Sequence, residues 1–235
     1  MTETDALPAS DGRLDDLAGG PYDIEFFFDP GCPFAWQTSV WIRNVMAQRD
    51  LRVGWRFISL WYINVGQDLD ASMREGHARG LRYHRICAAA RERFGNAAVG
   101  DLYRLYGESF WYVDATGDFT ERMAAALANI DFARLISAAG LPADLVEAEE
   151  DESFDALLRT ESAAAFERTG PDVGTPIITF GPPDGSTLFG PVLSNAPDGP
   201  DAVRLYEAVE TVASFETFSE LKRTKRPALD LPLFS

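Results

Sequence analysis

The sequence predicts an α/β protein in which two chain-distant groups of short strands share one sheet around a long helical block. Three observations carry that prediction. The aromatic run Asp23-Ile24-Glu25-Phe26-Phe27-Phe28 ends at Asp29-Pro30-Gly31, a helical pattern follows, and a second β-rich run spans Leu51–Phe57. Residues 66–168 then turn to Ala, Arg, Glu and Leu, with connector signals at Gly95-Asn96, Gly117-Asp118 and Gly140-Leu141-Pro142. Strand chemistry returns only at Thr175–Phe180. One sheet assembled from both ends, with helices between, is the economical arrangement of such a chain.

Taken in order, residues 1–20 are acidic and carry Gly and Pro, which predicts a mobile leader. Pro33 suits the first turn of a helix, and Trp36, Val40, Trp41 and Val45 continue near helical spacing to Arg49. The block 66–168 predicts four or five helices, of which Ala124–Ala139 and Phe154–Arg168 are the clearest. After it, Thr175–Phe180, the turn Gly181–Gly185 and Ser186–Phe189 predict a hairpin, closed by Gly190-Pro191. Pro200–Phe218 is the last predicted helix, with Val203, Leu205, Val209, Val212 and Phe215 as its apolar stripe. The expected division is a core of 21–65 and 170–226, a helical insertion of 66–169, and a tail of 227–235.

A chain of 235 residues with 46% apolar and 25% charged residues is globular in composition. The formal net charge of −16 argues against a nucleic-acid binder and against docking on anionic membranes. The N-terminus has neither the basic nor the apolar region of a signal peptide, and no apolar run approaches the ~20 residues of a membrane span. Two cysteines are too few for a secreted disulfide framework. The expected location is the cytoplasm.

The chemistry centres on Cys32. A lone cysteine is most often a small buried hydrophobe. Here the abrupt strand-to-helix turn and Pro33 place it at a helix N-terminus, where unpaired N–H groups and the dipole favour a thiolate. Such positions lower the thiol pKa from ~8.5 to between ~3.5 and ~7.5, so Cys32 is the expected nucleophile.

These residues carry a resemblance. Phe26-Phe27-Phe28-Asp29-Pro30-Gly31-Cys32-Pro33-Phe34-Ala35-Trp36 resembles the first βα turn of the DsbA-like branch of the thioredoxin superfamily. Asp172-Val173-Gly174-Thr175-Pro176 resembles that superfamily's cis-proline loop. Phe189-Gly190-Pro191-Val192-Leu193-Ser194 and Glu220-Leu221-Lys222-Arg223-Thr224 are similar to one subgroup, the mycothiol-dependent nitroreductase-like proteins. The resemblance spans residues 22–226. It implies a thioredoxin fold with a large α-helical insertion, no bound cofactor, and a low-molecular-weight thiol, mycothiol, as co-substrate. A disulfide or electrophilic small molecule would be the second substrate. It also implies a cis Thr175–Pro176 bond that presents the Thr175 backbone to an extended thiol; a trans proline opening an edge strand is the alternative.

The chain departs from the dithiol members at Ala35, which stands where a second cysteine would resolve a mixed disulfide. Cys32 would then act as a monothiol, with a second small-thiol molecule closing the cycle. Alternatively it would assist transfer or isomerisation, as in the kappa-class glutathione transferases and hydroxychromene-carboxylate isomerases, or the protein would only bind.

Around Cys32, Pro33 starts the helix, Phe34 is expected exposed beside the sulfur, and Trp36 is expected to border the site. Asn64, in a loop after the second strand, is the polar candidate there; Trp61 and Tyr62 beside it more often belong to a core. Cys87 is expected in the core. His77, His84 and Cys87 lack metal-ligand spacing. Arg74, Arg79, Arg82, Arg85, Arg91 and Arg93 make either a paired, solvated face or an attractor of anionic substrate. The basic run Lys222–Arg226 reads as charge at a helix C-terminus, and the resemblance adds a part in shaping the thiol site.

Overall fold

The computed structural model describes residues 6–114 and 116–234. The first five leader residues and Ser235 lie outside them. Strand β1 (Ile24–Phe28) leads through a short turn into α1 (Pro33–Met46), and β2 (Val53–Phe57) follows. Helices α2 (Leu60–Ile63), α3 (Ala71–Phe94), α4 (Asn96–Trp111), α5 (Phe119–Asn129), α6 (Phe132–Ala138) and α7 (Asp155–Thr169) come next, with 3-10 turns between α6 and α7. The chain then returns to β3 (Ile177–Phe180), β4 (Thr187–Phe189) and α8 (Gly199–Ala213).

Among the described residues the four strands form one sheet in the order β2-β1-β3-β4. β1 is parallel to β2 and antiparallel to β3, and β3–β4 is a hairpin. This mixed α/β arrangement is consistent with a thioredoxin-like fold. Phe26 pairs with Trp55 on one side and Ile178 on the other. Alternation along β1 feeds both faces of the sheet. Ile24, Phe26 and Phe28 join Trp41, Trp55 and Tyr103 in the larger core, while Phe27 packs with Ile58, Ala165 and Ile177 on the α7 side. Glu25 falls on that second side too, where Arg56 and Arg168 neutralise it.

The Trp36 side chain of α1 lies directly on α4 because that helix carries glycine at the contact. A Cβ on Gly107 would fall inside the ring of Trp36. Gly107→Ala is therefore expected to cost ~1–3 kcal/mol through overpacking, read as a lower denaturant midpoint at unchanged slope.

Several expectations need correction. The helix expected over Ala124–Ala139 is two helices. Ile130 is extended, and the Asp131 side chain accepts from the Arg134 N–H, so an aspartate caps α6 where a continuous helix would bury it in mid-turn. The last helix stops at Ala213, short of Phe218; Phe215 is 60% exposed and has no core to hold that part of the stripe. Residues 6–20 hold no helix or strand, yet they lie against the body. The Gly12 carbonyl accepts from Arg168 and the Asp15 carbonyl from Arg56. The C-terminal tail is likewise packed: Leu231 and Leu233 are fully buried, Phe234 stacks on Trp111, and Arg122 donates to the Leu233 carbonyl. No helix among the described residues is long and apolar enough to cross a membrane.

Candidate thiol site

Asp29-Pro30-Gly31 breaks β1, and the Cys32 N–H turns back onto the Asp29 carbonyl at 3.1 Å. Cys32 is extended and caps α1, and Pro33 takes the first turn, where its missing N–H costs nothing. The Ala35 N–H donates to Cys32 Sγ at 3.5 Å. From the far end of the chain, the Thr175 carbonyl accepts from Cys32 Sγ–H at 3.4 Å. Thr175 Oγ1 in turn donates to the Phe27 carbonyl at 3.1 Å, which hangs this loop on β1, and the Thr175–Pro176 peptide is cis. Cys32, Pro33, Thr175 and Pro176 thus share one small region.

The electrostatics differ from the sequence expectation. Cys32 is only 9% exposed, and burial pushes its thiol up to about 12. The Ala35 and Phe34 amides pull it down and the nearby Asp29 pushes it further up, but desolvation dominates. Helix-terminus stabilisation of a thiolate is a surface magnitude, and here the sulfur is under the Thr175 loop. In this geometry burial favours the protonated thiol, and the Thr175 carbonyl is placed to accept its proton.

Asp29 is the residue that sequence reasoning missed. It is fully buried, and its two oxygens accept from the Gly31 and Leu60 N–H groups at 2.8 Å each. Burial raises its pKa to about 7 against the opposing pull of these amides. It ties the cysteine turn to the start of α2, and Gly80 on α3 leaves room for it. Its only sequence signal was the Asp-Pro pair, which marks a strand end equally well.

The other candidates separate. Phe34 is half-buried, not freely exposed, and the Arg226 guanidinium sits 5.5 Å from its ring centroid. Trp36 belongs to the core: it is 1% exposed and wedged against Tyr103 and Gly107. Asn64 ends α2 and donates its side-chain amide to the Leu60 carbonyl. It lines a cavity of about 180 Å³ with Trp61, Arg74 and His77, and neither Cys32 nor Thr175 is among the lining residues. Tyr62 is buried.

Cys87 is buried and unpaired on α3. His84 is buried beside it, with Nε2 3.1 Å from the Phe28 carbonyl, and desolvation lowers its pKa to about 3. Among the described residues no group of three His, Cys, Asp or Glu is placed to hold a metal ion. The α3 arginines are mostly paired: Arg82 with Glu149, Arg85 with Asp155, Arg91 with Glu161 and Arg93 with Asp144.

A family model described as Rv2466c-like, mycothiol-dependent nitroreductase Rv2466c, matches residues 31–223. A protein of Mycobacterium tuberculosis (strain ATCC 25618 / H37Rv) named uncharacterized protein Rv2286c is 33% identical over 207 residues, covering 87% of this chain and 83% of that protein.

Proposed function

Because the chain belongs to the Rv2466c-like family, we propose that it is a mycothiol-linked oxidoreductase working through one thiol, Cys32. The observation that carries this reading is the cysteine turn: Sγ caps α1, faces the Thr175 carbonyl, and has alanine at the position a resolving thiol would take. Such a sulfur can exchange with a disulfide, while the motif offers nothing to expel the adduct.

The steps balance with two small-thiol molecules. Cys32 thiolate attacks the mycothiol sulfur of a mixed disulfide; that S–S bond breaks and the substrate leaves as a thiolate. The Cys32 adduct is then attacked by a second mycothiol thiolate, which restores Cys32 and forms the mycothiol disulfide. The substrate sulfur leaves reduced, and one mycothiol thiolate, the second, is oxidised; the first arrives at the disulfide level in the substrate and stays there in mycothiol disulfide. Before the first step Cys32 loses its proton to solvent, which burial opposes. A ligand whose own N–H takes the Thr175 carbonyl, and whose entry admits water, removes both restraints. Pro33, Phe34 and the Thr175-Pro176 loop would hold the thiol; Asn64 would contact the other substrate from its neighbouring cavity. A reducing cytoplasm suits two unpaired cysteines.

One observation favours a second reading. A cysteine kept as a hydrogen-bond donor resembles a group that steadies a bound thiolate, as in a small-thiol transferase or isomerase, more than an attacking nucleophile.

The test is intact mass of the Cys87→Ala protein after exposure to oxidised mycothiol. One adduct is expected, localised to Cys32 by peptide mapping and removed by reduced mycothiol. Absence of any adduct up to about pH 9 excludes the mixed-disulfide route.

A further inference from the structure

The family match ends at residue 223, yet the chain continues in a defined path that returns to the cysteine helix. The Asp230 N–H donates to the Ser194 carbonyl at 2.8 Å, and Ser194 Oγ donates to the Pro227 carbonyl at 3.1 Å. Gln37, on α1, donates its side-chain amide to the Asp230 carbonyl at 2.9 Å. Beyond these, Leu231 and Leu233 are buried and Phe234 stacks on Trp111. The strap is thus fastened to the helix whose first turn carries Cys32, and Arg226 lies over Phe34, two residues from the sulfur.

The charge of this segment opposes that of the molecule. Lys222, Arg223, Lys225 and Arg226 fall within five residues of a chain whose net charge is −16. Lys222 is 3.7 Å from Glu220, and both are largely exposed. Among the described residues Arg223, Lys225 and Arg226 have no carboxylate within ion-pair distance, unlike the arginines of α3. Nor does the run serve a helix terminus, because α8 ended at Ala213. A guanidinium stacked on an aromatic face keeps its N–H edge free, and that edge matches a planar carboxylate.

We infer that the C-terminal strap is a recognition arm, in which Arg226, supported by Arg223 and Lys225, receives an anionic group on the disulfide or electrophile that reacts at Cys32. The inference rests on Cys32 being a nucleophile. It gives an acidic protein a local positive field at its reactive thiol, where it otherwise would repel such a substrate.

Two disulfide probes test it. 5,5′-Dithiobis(2-nitrobenzoate) carries two carboxylates; 2,2′-dithiodipyridine is neutral. With either, Cys32 thiolate attacks one probe sulfur, the S–S bond breaks, and the aryl thiolate or thione that leaves is read by absorbance. The readout is the ratio of the two second-order rates in the Cys87→Ala background. Arg226→Ala and the triple variant Arg223→Ala/Lys225→Ala/Arg226→Ala are expected to lower the anionic-to-neutral ratio by ~3–10-fold. Raising salt from about 0.05 to 0.5 M should lower the ratio in the parent protein and leave it nearly flat in the triple variant. Arg226→Lys should retain part of the preference. If the variants slow both probes together, or slow neither, the ratio stays constant and the strap is structural only. If neither probe labels Cys32 in the parent protein, the nucleophile assignment fails and the arm with it.

Discussion

Cys32→Ser is expected to abolish thiol–disulfide turnover, a loss on the order of a thousandfold or more, and to remove every mixed-disulfide adduct. A hydroxyl at that position keeps the Ala35 N–H and the Thr175 carbonyl as partners, but oxygen cannot enter sulfur exchange. Cys87→Ala should turn over normally, since Cys87 lies fully buried in the α3 core. The same substitution separates the two mechanistic readings. In a transferase, Cys32 would only donate a hydrogen bond to a bound thiolate. Serine would then retain a measurable rate, and the loss would be only about tenfold, the worth of one weakened hydrogen bond. Steady-state rates with a mixed-disulfide substrate and with an electrophilic conjugation substrate, measured on the same variant, decide between them.

Glu161→Ala is expected to produce the largest loss of stability of any single charge deletion, ~3–5 kcal/mol. Glu161 is 1% exposed and lies at the centre of a buried network. It accepts from Arg56 at 2.9 Å, from Arg91 at 2.9 Å and from the Phe57 N–H at 2.8 Å. Arg56 continues to Glu25, and Glu25 to Arg168, so one chain of charges joins β1, β2, α3 and α7. Deleting the central carboxylate takes the acceptor from Arg91 and from the Phe57 N–H and leaves Arg56 with Glu25 alone as its ion-pair partner, which explains a cost beyond that of a surface pair. Burial alone would raise the Glu161 pKa, but Arg91 and Arg56 outweigh it and hold the carboxyl below its ordinary value. A folded pKa below the unfolded value of ~4.3 stabilises fully above that pH, and the contribution disappears as pH falls through the folded value. Urea midpoints of the wild-type protein should therefore drop between about pH 5 and pH 3, with a shallower drop in the variant. A loss under about 1 kcal/mol at pH 7 would place this network in the class of exposed pairs.

Much of the framework could be read from local pattern. The apolar run at 24–28, the Pro-initiated helix, the β-rich run ending at Phe57 and the hairpin after Thr175 all occur where residue type and spacing put them. The connector signals at Gly95-Asn96 and Gly117-Asp118 fall where α3 ends and just before α5 starts. These features depend on backbone preference and on periodicity, which a short window contains. Cys32 at a helix start belongs to the same class, and so does the missing partner at Ala35.

The errors have a common origin. The pattern that places Trp36 on the α1 face is identical for a residue bordering a cleft and one in a core; Gly107, on a helix some seventy residues later, makes it core. Asp29 looks like a strand breaker until the Leu60 N–H is brought to it. The tail of 227–235 carries no local sign that Leu231 and Leu233 are buried. The ionisation of Cys32 reverses for the same reason. Its helix position favours a thiolate, and that much is local. Whether water reaches the sulfur depends on the Thr175 loop, 143 residues away, and on everything packed around both. Desolvation is a property of the assembled surroundings, so no local stretch of chain carries it.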